Sequence, residues 1–90
     1  MSESQRKQIT VQVLFFGAAR DEVGSNPVEL QVDSPATVET AFAALTRKFS
    51  GLERFGRSLL FAINQEYATR DMPLAENDEL AIFPPVSGGI

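Results

Sequence analysis

Only one stretch of the 90-residue sequence carries a sustained helical period. Val38, Ala41, Phe42, Leu45 and Phe49 fall at i, i+3, i+4, i+7 and i+11, a single apolar stripe. The remaining apolar segments are short, and most alternate with a period of two, as strands do. One helix covers one face of one sheet, so the other face must meet solvent or a partner. A chain this short has room for one core, and buries only about 60–65% of the surface it exposes when unfolded. These constraints describe a small α+β domain.

Along the chain, Ile9, Val11, Val13 and Phe15 alternate with Thr10, Gln12, Leu14 and Phe16, which predicts a strand over 9–16 with one buried face. The second set begins polar and ends apolar, leaving Leu14 and Phe16 no obvious core to enter. Residues 17–27 break the pattern and read as a connection with room for one helical turn. Residues 28–32 alternate again, a second strand antiparallel to the first. The helix starts either at Ser34 with Pro35 in its first position or at Thr37 with Glu39 in its first turn, and Thr37 is favoured. Arg47 and Lys48 suit the last turn, and Gly51 the place just past the end. Residues 59–64 form a nearly continuous apolar run, predicting a central strand buried on both faces. A turn at 64–66, a loosely patterned stretch from Tyr67 to Leu74 and a turn at 76–78 lead to a last strand, Glu79–Phe83, which Pro84-Pro85 stop.

A hairpin, a crossover helix and further strands outline a β-grasp, or ubiquitin-like, roll, with a mixed sheet of four to five strands and one main helix on one face. The order alone fits several other small α+β folds. The expected division is a frayed leader over 1–8, the β-grasp domain over 9–83 and an extended tail over 84–90.

Composition narrows the chemistry. There is no histidine and no cysteine. A disulfide framework is impossible, and the common zinc sites lose both preferred ligand types. Ser–His and Cys–His nucleophile pairs and any imidazole acid–base catalyst are excluded. Eight Lys and Arg against 12 Asp and Glu give a net charge of −4, without the basic stripe that a nucleic-acid binder needs. The first apolar run falls far short of the roughly 20 residues that span a bilayer. A soluble, cytoplasmic protein is expected, with no nucleic acid and no membrane as partner. Asp21-Glu22 and Glu76/Asp78-Glu79 read as turn and surface charge, because no histidine or third ligand accompanies them. Gly17 and Gly24 form no phosphate-cradling loop, so no nucleotide or metal site is expected on this chain.

The carboxyl end is the most specific feature. Pro84-Pro85 leave the last strand, and Gly88-Gly89 follow almost at the terminus. At about 7% glycine per position, two specified adjacent glycines arise in roughly 0.5% of chains. Prolines favour an extended tail, and glycines let a backbone pass where no side chain fits. At about 3.3 Å per residue, residues 84–89 reach roughly 15–20 Å. The reacting group would then be the main-chain carboxylate. The plain alternative is a floppy chain end.

Several segments together carry a family resemblance. Phe15-Phe16-Gly17-Ala18-Ala19-Arg20-Asp21-Glu22 is similar to the Phe-Phe-Ala-x-x-Arg-Glu segment of molybdopterin synthase small subunits. Leu60-Phe61-Ala62-Ile63-Asn64-Gln65-Glu66, Pro73-Leu74, Asn77-Asp78-Glu79-Leu80-Ala81 and Phe83-Pro84-Pro85-Val86-Ser87-Gly88-Gly89 match the same family in order. From about Val11 to Gly89 the chain resembles the MoaD/ThiS-type sulfur carriers of β-grasp fold. That resemblance implies adenylation of the terminal glycine carboxylate, here Gly89 after Gly88, by an ATP-dependent activating enzyme related to ubiquitin activators. A sulfur donor protein would convert the adenylate to a thiocarboxylate. The tail would then enter the large synthase subunit, within a heterotetramer, and give sulfur to a pterin precursor for the dithiolene of the molybdenum cofactor. The chain alone would be non-catalytic and hold no cofactor, the ATP belonging to the activating partner.

By the same resemblance, Phe16, Tyr67 and Phe83 occupy partner-docking positions, and Pro84, Pro85, Val86 and Ser87 lead the tail into the partner. Phe16, Tyr67 and Phe83 could instead close the core. Arg20 would pair with an acidic partner surface or remain a solvated loop arginine. Ile90 departs from the family pattern, in which the mature chain ends at the second glycine. A thiocarboxylate cannot form on Gly89 while its carbonyl is bonded to Ile90, so Ile90 is removed or the chain is inactive as written; a thiocarboxylate on Ile90 itself would put a β-branched side chain in a glycine-sized channel. Two other functions compete: sulfur delivery for thiamine, cysteine or tRNA thiolation, and a ubiquitin-like modifier joined to lysines.

Overall fold

The strand predicted first lies inside the sheet. In the computed structural model, which describes residues 7–85, β1 (Gln8–Phe15) pairs antiparallel with β2 (Val28–Asp33) on one side and parallel with β7 (Glu79–Phe83) on the other. β4 (Leu60–Ile63) continues the sheet antiparallel to β7, and β5 (Glu66–Ala68) forms its far edge, giving the order β2-β1-β7-β4-β5. The short strands β3 (Ala36–Thr37) and β6 (Pro73–Leu74) pair separately. This is the mixed five-stranded sheet of a β-grasp roll, with α2 (Val38–Lys48) against one face.

Alternation sets the core. Ile9, Val11, Val13 and Phe15 are buried together with Val28, Leu30 and Val32 of β2 and Leu80 and Ile82 of β7. Val38, Ala41, Phe42 and Leu45 of α2 pack onto them, and Phe49 is half-buried at the helix end. Each such Val, Leu, Ile or Phe contributes about 1.5–3 kcal/mol when fully buried. Thr37 is the N-cap, its Oγ1 accepting from the Thr40 amide at 3.2 Å, as the sequence predicts. Two further amides of the first turn donate outward, Val38 to Met72 O at 3.0 Å and Glu39 to Arg70 O at 2.8 Å. The loop before β6 thereby satisfies groups that every helix leaves open.

Several expectations need correction. The connection after β1 holds a full helix, α1 (Gly17–Val23), closed by Gly24 at φ 79°. It buries only Ala19 completely, so it leaves no apolar stripe to read. Gly51 does not end α2: Phe49 caps it, and Gly51 lies inside a following 3-10 helix, Ser50–Phe55. A Cβ at Gly51 would meet the Glu22 carboxylate as it stands, the far end of a flexible, exposed side chain. Residues 59–64 are not buried on both faces, because Leu60 is 41% exposed. The stretch from Tyr67 to Leu74 contains β5 and β6. β1 begins at Gln8, one residue earlier than predicted and within the stretch assigned to the leader. The leader residues 1–6 and the tail residues Val86, Ser87, Gly88, Gly89 and Ile90 lie outside the described residues. Among the described residues no helix is long and apolar enough to cross a membrane.

Candidate functional site

The face of the sheet that α2 does not cover is built by the other half of each alternation. Cross-strand register places Leu14 opposite Ala81, Ala81 opposite Ala62 and Ala62 opposite Tyr67, one row running across four strands. Leu60 stands opposite Phe83 in the next row. Phe16 joins them because its amide still donates to Ile82 O at 3.0 Å, extending the β1–β7 ladder past the strand end. In the other direction the rows turn polar, with Gln12 opposite both Glu29 and Glu79. The face is therefore graded, polar where β7 begins and apolar where it ends.

Its apolar end is an aromatic cluster. The half-buried Phe83 ring sits between two others, 6.2 Å from Phe16 and 6.1 Å from Tyr67, both edge to face. Phe16 is 45% exposed and Tyr67 78% exposed. These exposures keep Phe16 and Tyr67 out of the fully buried core, while Phe83 is half-buried. A connected group of exposed large apolar side chains marks an interaction surface. Leu60 stands opposite Phe83 and is exposed as well, and the sequence reading missed it by taking its strand as buried on both faces, because the run from Leu60 to Ile63 is apolar throughout.

The patch sits at the root of the carboxyl-terminal tail. Pro84 follows Phe83 directly and is half-buried, and Pro85 is exposed. Arg20 stands apart from the aromatics. It is exposed on α1, has no ion pair among the described residues, and lines a separate polar depression with Asp21, Gly24, Ser25 and Asn26. The carboxylates serve structure. Asp78 accepts from the Ala75 amide at 2.8 Å and from Asn64 Nδ2 at 2.9 Å, Glu76 accepts from the Thr10 amide at 3.0 Å, and Glu22 faces Arg54 at 3.3 Å. Among the described residues no group of three or more acidic side chains could hold a metal ion. Such a surface can dock a partner, and it carries no nucleophile–base pair.

Comparison with known proteins sharpens this picture. The ThiS family matches residues 13–89, a span that includes the whole aromatic patch and both terminal glycines. The chain belongs to the ThiS family. This ThiS-family chain is 40% identical over 82 residues to the molybdopterin synthase sulfur carrier subunit of Escherichia coli, covering 88% of this chain and 99% of that one. It is 36% identical over 81 residues to the protein of the same description from Arabidopsis thaliana, covering 90% of this chain and 84% of that one. Among solved structures, the small archaeal modifier protein 1 of Haloferax volcanii is 32% identical with a TM-score of 0.80, covering 87% of this chain and 99% of that one.

Proposed function

We propose that this chain is the sulfur-carrying small subunit of a molybdopterin synthase, acting in the cytoplasm. The observation that carries the proposal is the exposed aromatic patch of Phe16, Tyr67 and Phe83 at the root of a segment that carries the paired glycines Gly88-Gly89. A domain without catalytic side chains needs such an arrangement to present its own carboxylate to an enzyme. The likeness to sulfur carrier subunits in two distant organisms supports molybdopterin over thiamine, cysteine or tRNA thiolation.

In this reading the chain ends at Gly89 once the bond to Ile90 is cleaved. The Gly89 carboxylate attacks the α-phosphorus of ATP held by an activating enzyme of the ubiquitin-activating type, and pyrophosphate leaves. Hydrosulfide released by a donor protein then attacks the acyl carbon, AMP departs and the thiol proton passes to solvent, leaving a thiocarboxylate. The patch docks on the large subunit, and Pro84, Pro85, Val86, Ser87 and Gly88 carry the sulfur into its active site. Arg20 meets the rim of the partner. ATP is bound by the activating enzyme, and the small subunit holds no cofactor.

The test is an intact-mass measurement on the chain ending at Gly89, incubated with a cognate activating enzyme, ATP and a sulfur donor. Exchange of one terminal oxygen for sulfur is expected, followed by its loss to precursor when the large subunit is added. A terminus that accepts neither adenylate nor sulfur overturns the proposal. The likeness to a small archaeal modifier favours one second reading, a protein modifier. Isopeptide adducts of the chain on lysines in its native cell would establish that reading.

A further inference from the structure

Two neighbouring residues of one segment grip two neighbouring residues of another. Phe16 packs edge to face on Phe83 at 6.2 Å. Directly after it, Gly17 lies against Pro84: a Cβ built on Gly17 would stand 3.3 Å from Pro84 Cγ and 3.5 Å from Cδ. The proline ring therefore packs against position 17, where a methyl would fit after a shift of a few tenths of an ångström and a larger side chain would displace the ring. Gly17 also has φ +59°, the left-handed conformation that turns the chain from β1 into α1 and that glycine adopts without steric cost. The Phe16 amide bonded to Ile82 O at 3.0 Å holds the two segments in this register. Pro84 is half-buried although it lies beyond the last strand.

We infer that Gly17 and Pro84 form a seat that fixes the direction in which the tail leaves the domain, making Gly17 a positioning residue for sulfur delivery. The inference rests on the sulfur-carrier reading and deepens it. A tail that must enter a narrow channel loses backbone freedom on entry, and each residue already fixed lowers that cost. Pro84 seated on Gly17 removes the freedom of the tail's first residue before any partner arrives. The ring of Phe83 faces the docking surface and its neighbour Pro84 is anchored to the α1 junction, so docking of the patch and aim of the tail share one foundation. Pro84 then acts on the partner through the orientation it gives the residues after it.

The test compares the intact chain ending at Gly89 with Pro84→Ala, Gly17→Ala and Gly17→Val. Nuclear Overhauser contacts between the Gly17 α-protons and the Pro84 ring are expected in the free unsubstituted chain, and their absence overturns the seat. In single-turnover sulfur transfer with saturating large subunit, Pro84→Ala is expected to slow transfer about tenfold, the effect of freeing about one residue. Affinity for the large subunit should fall by no more than that same factor, because the aromatic patch is untouched. Gly17→Val should behave like Pro84→Ala, and Gly17→Ala, whose methyl asks the ring to shift only slightly, should fall between. Pro84→Ala leaves the Gly17 backbone unaltered, so it keeps the test sharp where Gly17→Val fails to fold. Transfer at the unsubstituted rate in Pro84→Ala, or loss of transfer that tracks loss of melting temperature, overturns the inference. Failure of the unsubstituted chain to take up sulfur overturns the underlying reading instead, whatever the Overhauser contacts show.

Discussion

The Arg70 guanidinium lies 5.0 Å from the centre of the Phe61 ring. It also lies 5.1 Å from the ring of Phe42, so one cation covers two core aromatics that themselves meet edge to face at 5.7 Å. Its Nη1 reaches Glu39 Oε1 at 3.0 Å, and its side chain is only 18% exposed. Arg70 lies over both rings, and its carbonyl accepts from the Glu39 amide at the helix start. Arg70→Ala is expected to lower the free energy of unfolding by about 1–3 kcal/mol, through lost cation–π contact and lost packing of the stem. Arg70→Lys should recover part of this, since an ammonium cannot lie flat across two rings. Glu39→Ala should cost less than about 1 kcal/mol, because the Glu39 carboxylate is 54% exposed and water screens the pair. Urea unfolding with an unchanged slope and a shifted midpoint is the measurement.

The aromatic patch separates docking from stability. Tyr67 is 78% exposed, so little of its ring is supported by the domain, and the covered part of Phe16, 45% exposed, lies against Phe83 of the same patch. Tyr67→Ala and Phe16→Ala should each weaken binding to the large subunit about tenfold or more, as truncated aromatic anchors do. Their effect on unfolding should stay near about 0.5 kcal/mol, the usual range for surface sites. Phe83→Ala should cost both, because that ring is half-buried and touches the other two. Titration calorimetry beside thermal unfolding reads the two effects independently. Unfolding losses as large as the binding losses at Tyr67 would return the patch to a structural role.

Gly51 and Glu22 should be coupled. The Glu22 carboxylate lies over Gly51, where a Cβ would stand, and pairs with Arg54 at 3.3 Å. Gly51→Ala would push the Glu22 side chain off and break that exposed pair, a loss of at most about 1 kcal/mol. With Glu22→Ala already present the collision disappears, and the alanine should be neutral or stabilising through its better helical preference. The double-mutant cycle is expected to give an interaction of about 0.5–1 kcal/mol, and additivity would show that the two residues do not meet in solution.

These relationships also show where the sequence was readable. The alternation of Ile9, Val11, Val13 and Phe15 and the stripe from Val38 to Leu45 were legible because each element buries one face on one core. Thr37 was legible as a cap because its hydroxyl bonds locally, three residues on. The turn at Asn64-Gln65 was legible as a turn, and its left-handed backbone, at φ 51° and 75°, gives the tight hairpin between β4 and β5. α1 was not, since a seven-residue helix burying one alanine carries almost no period. Gly51 misled for a different reason: it continues into a 3-10 helix rather than ending α2, and lies against the side chain of Glu22, a residue 29 positions away that no local rule can bring near it. The patch was half-legible. Phe16 stood out as an apolar residue on the wrong side of its strand, whereas Leu60 hid in a continuous run and became visible only through its register with Phe83.

The terminal glycines yield the last prediction. A six-residue segment such as 84–89 spans at most roughly 15–20 Å when fully stretched, and on the proposed reading it carries Gly89 into the partner. A channel that admits this segment need accommodate only backbone at its inner end, and a side chain there would have to be desolvated and fitted. Gly88→Val should therefore leave the unfolding midpoint and the affinity of the aromatic patch nearly unchanged while reducing sulfur transfer in the large subunit by about a hundredfold or more, the size of loss that follows from misplacing a reacting group by about 1 Å. A chain ending at Gly89 should become thiocarboxylated, and one retaining Ile90 should not, because the Gly89 carbonyl is then an amide and the free carboxylate sits on Ile90, whose β-branched side chain fits a glycine-sized channel badly. Intact mass after incubation with activating enzyme, ATP and sulfur donor distinguishes these outcomes. Efficient transfer by Gly88→Val, or sulfur appearing on Ile90, would mean that the channel tolerates side chains and that glycine is not what admits the tail.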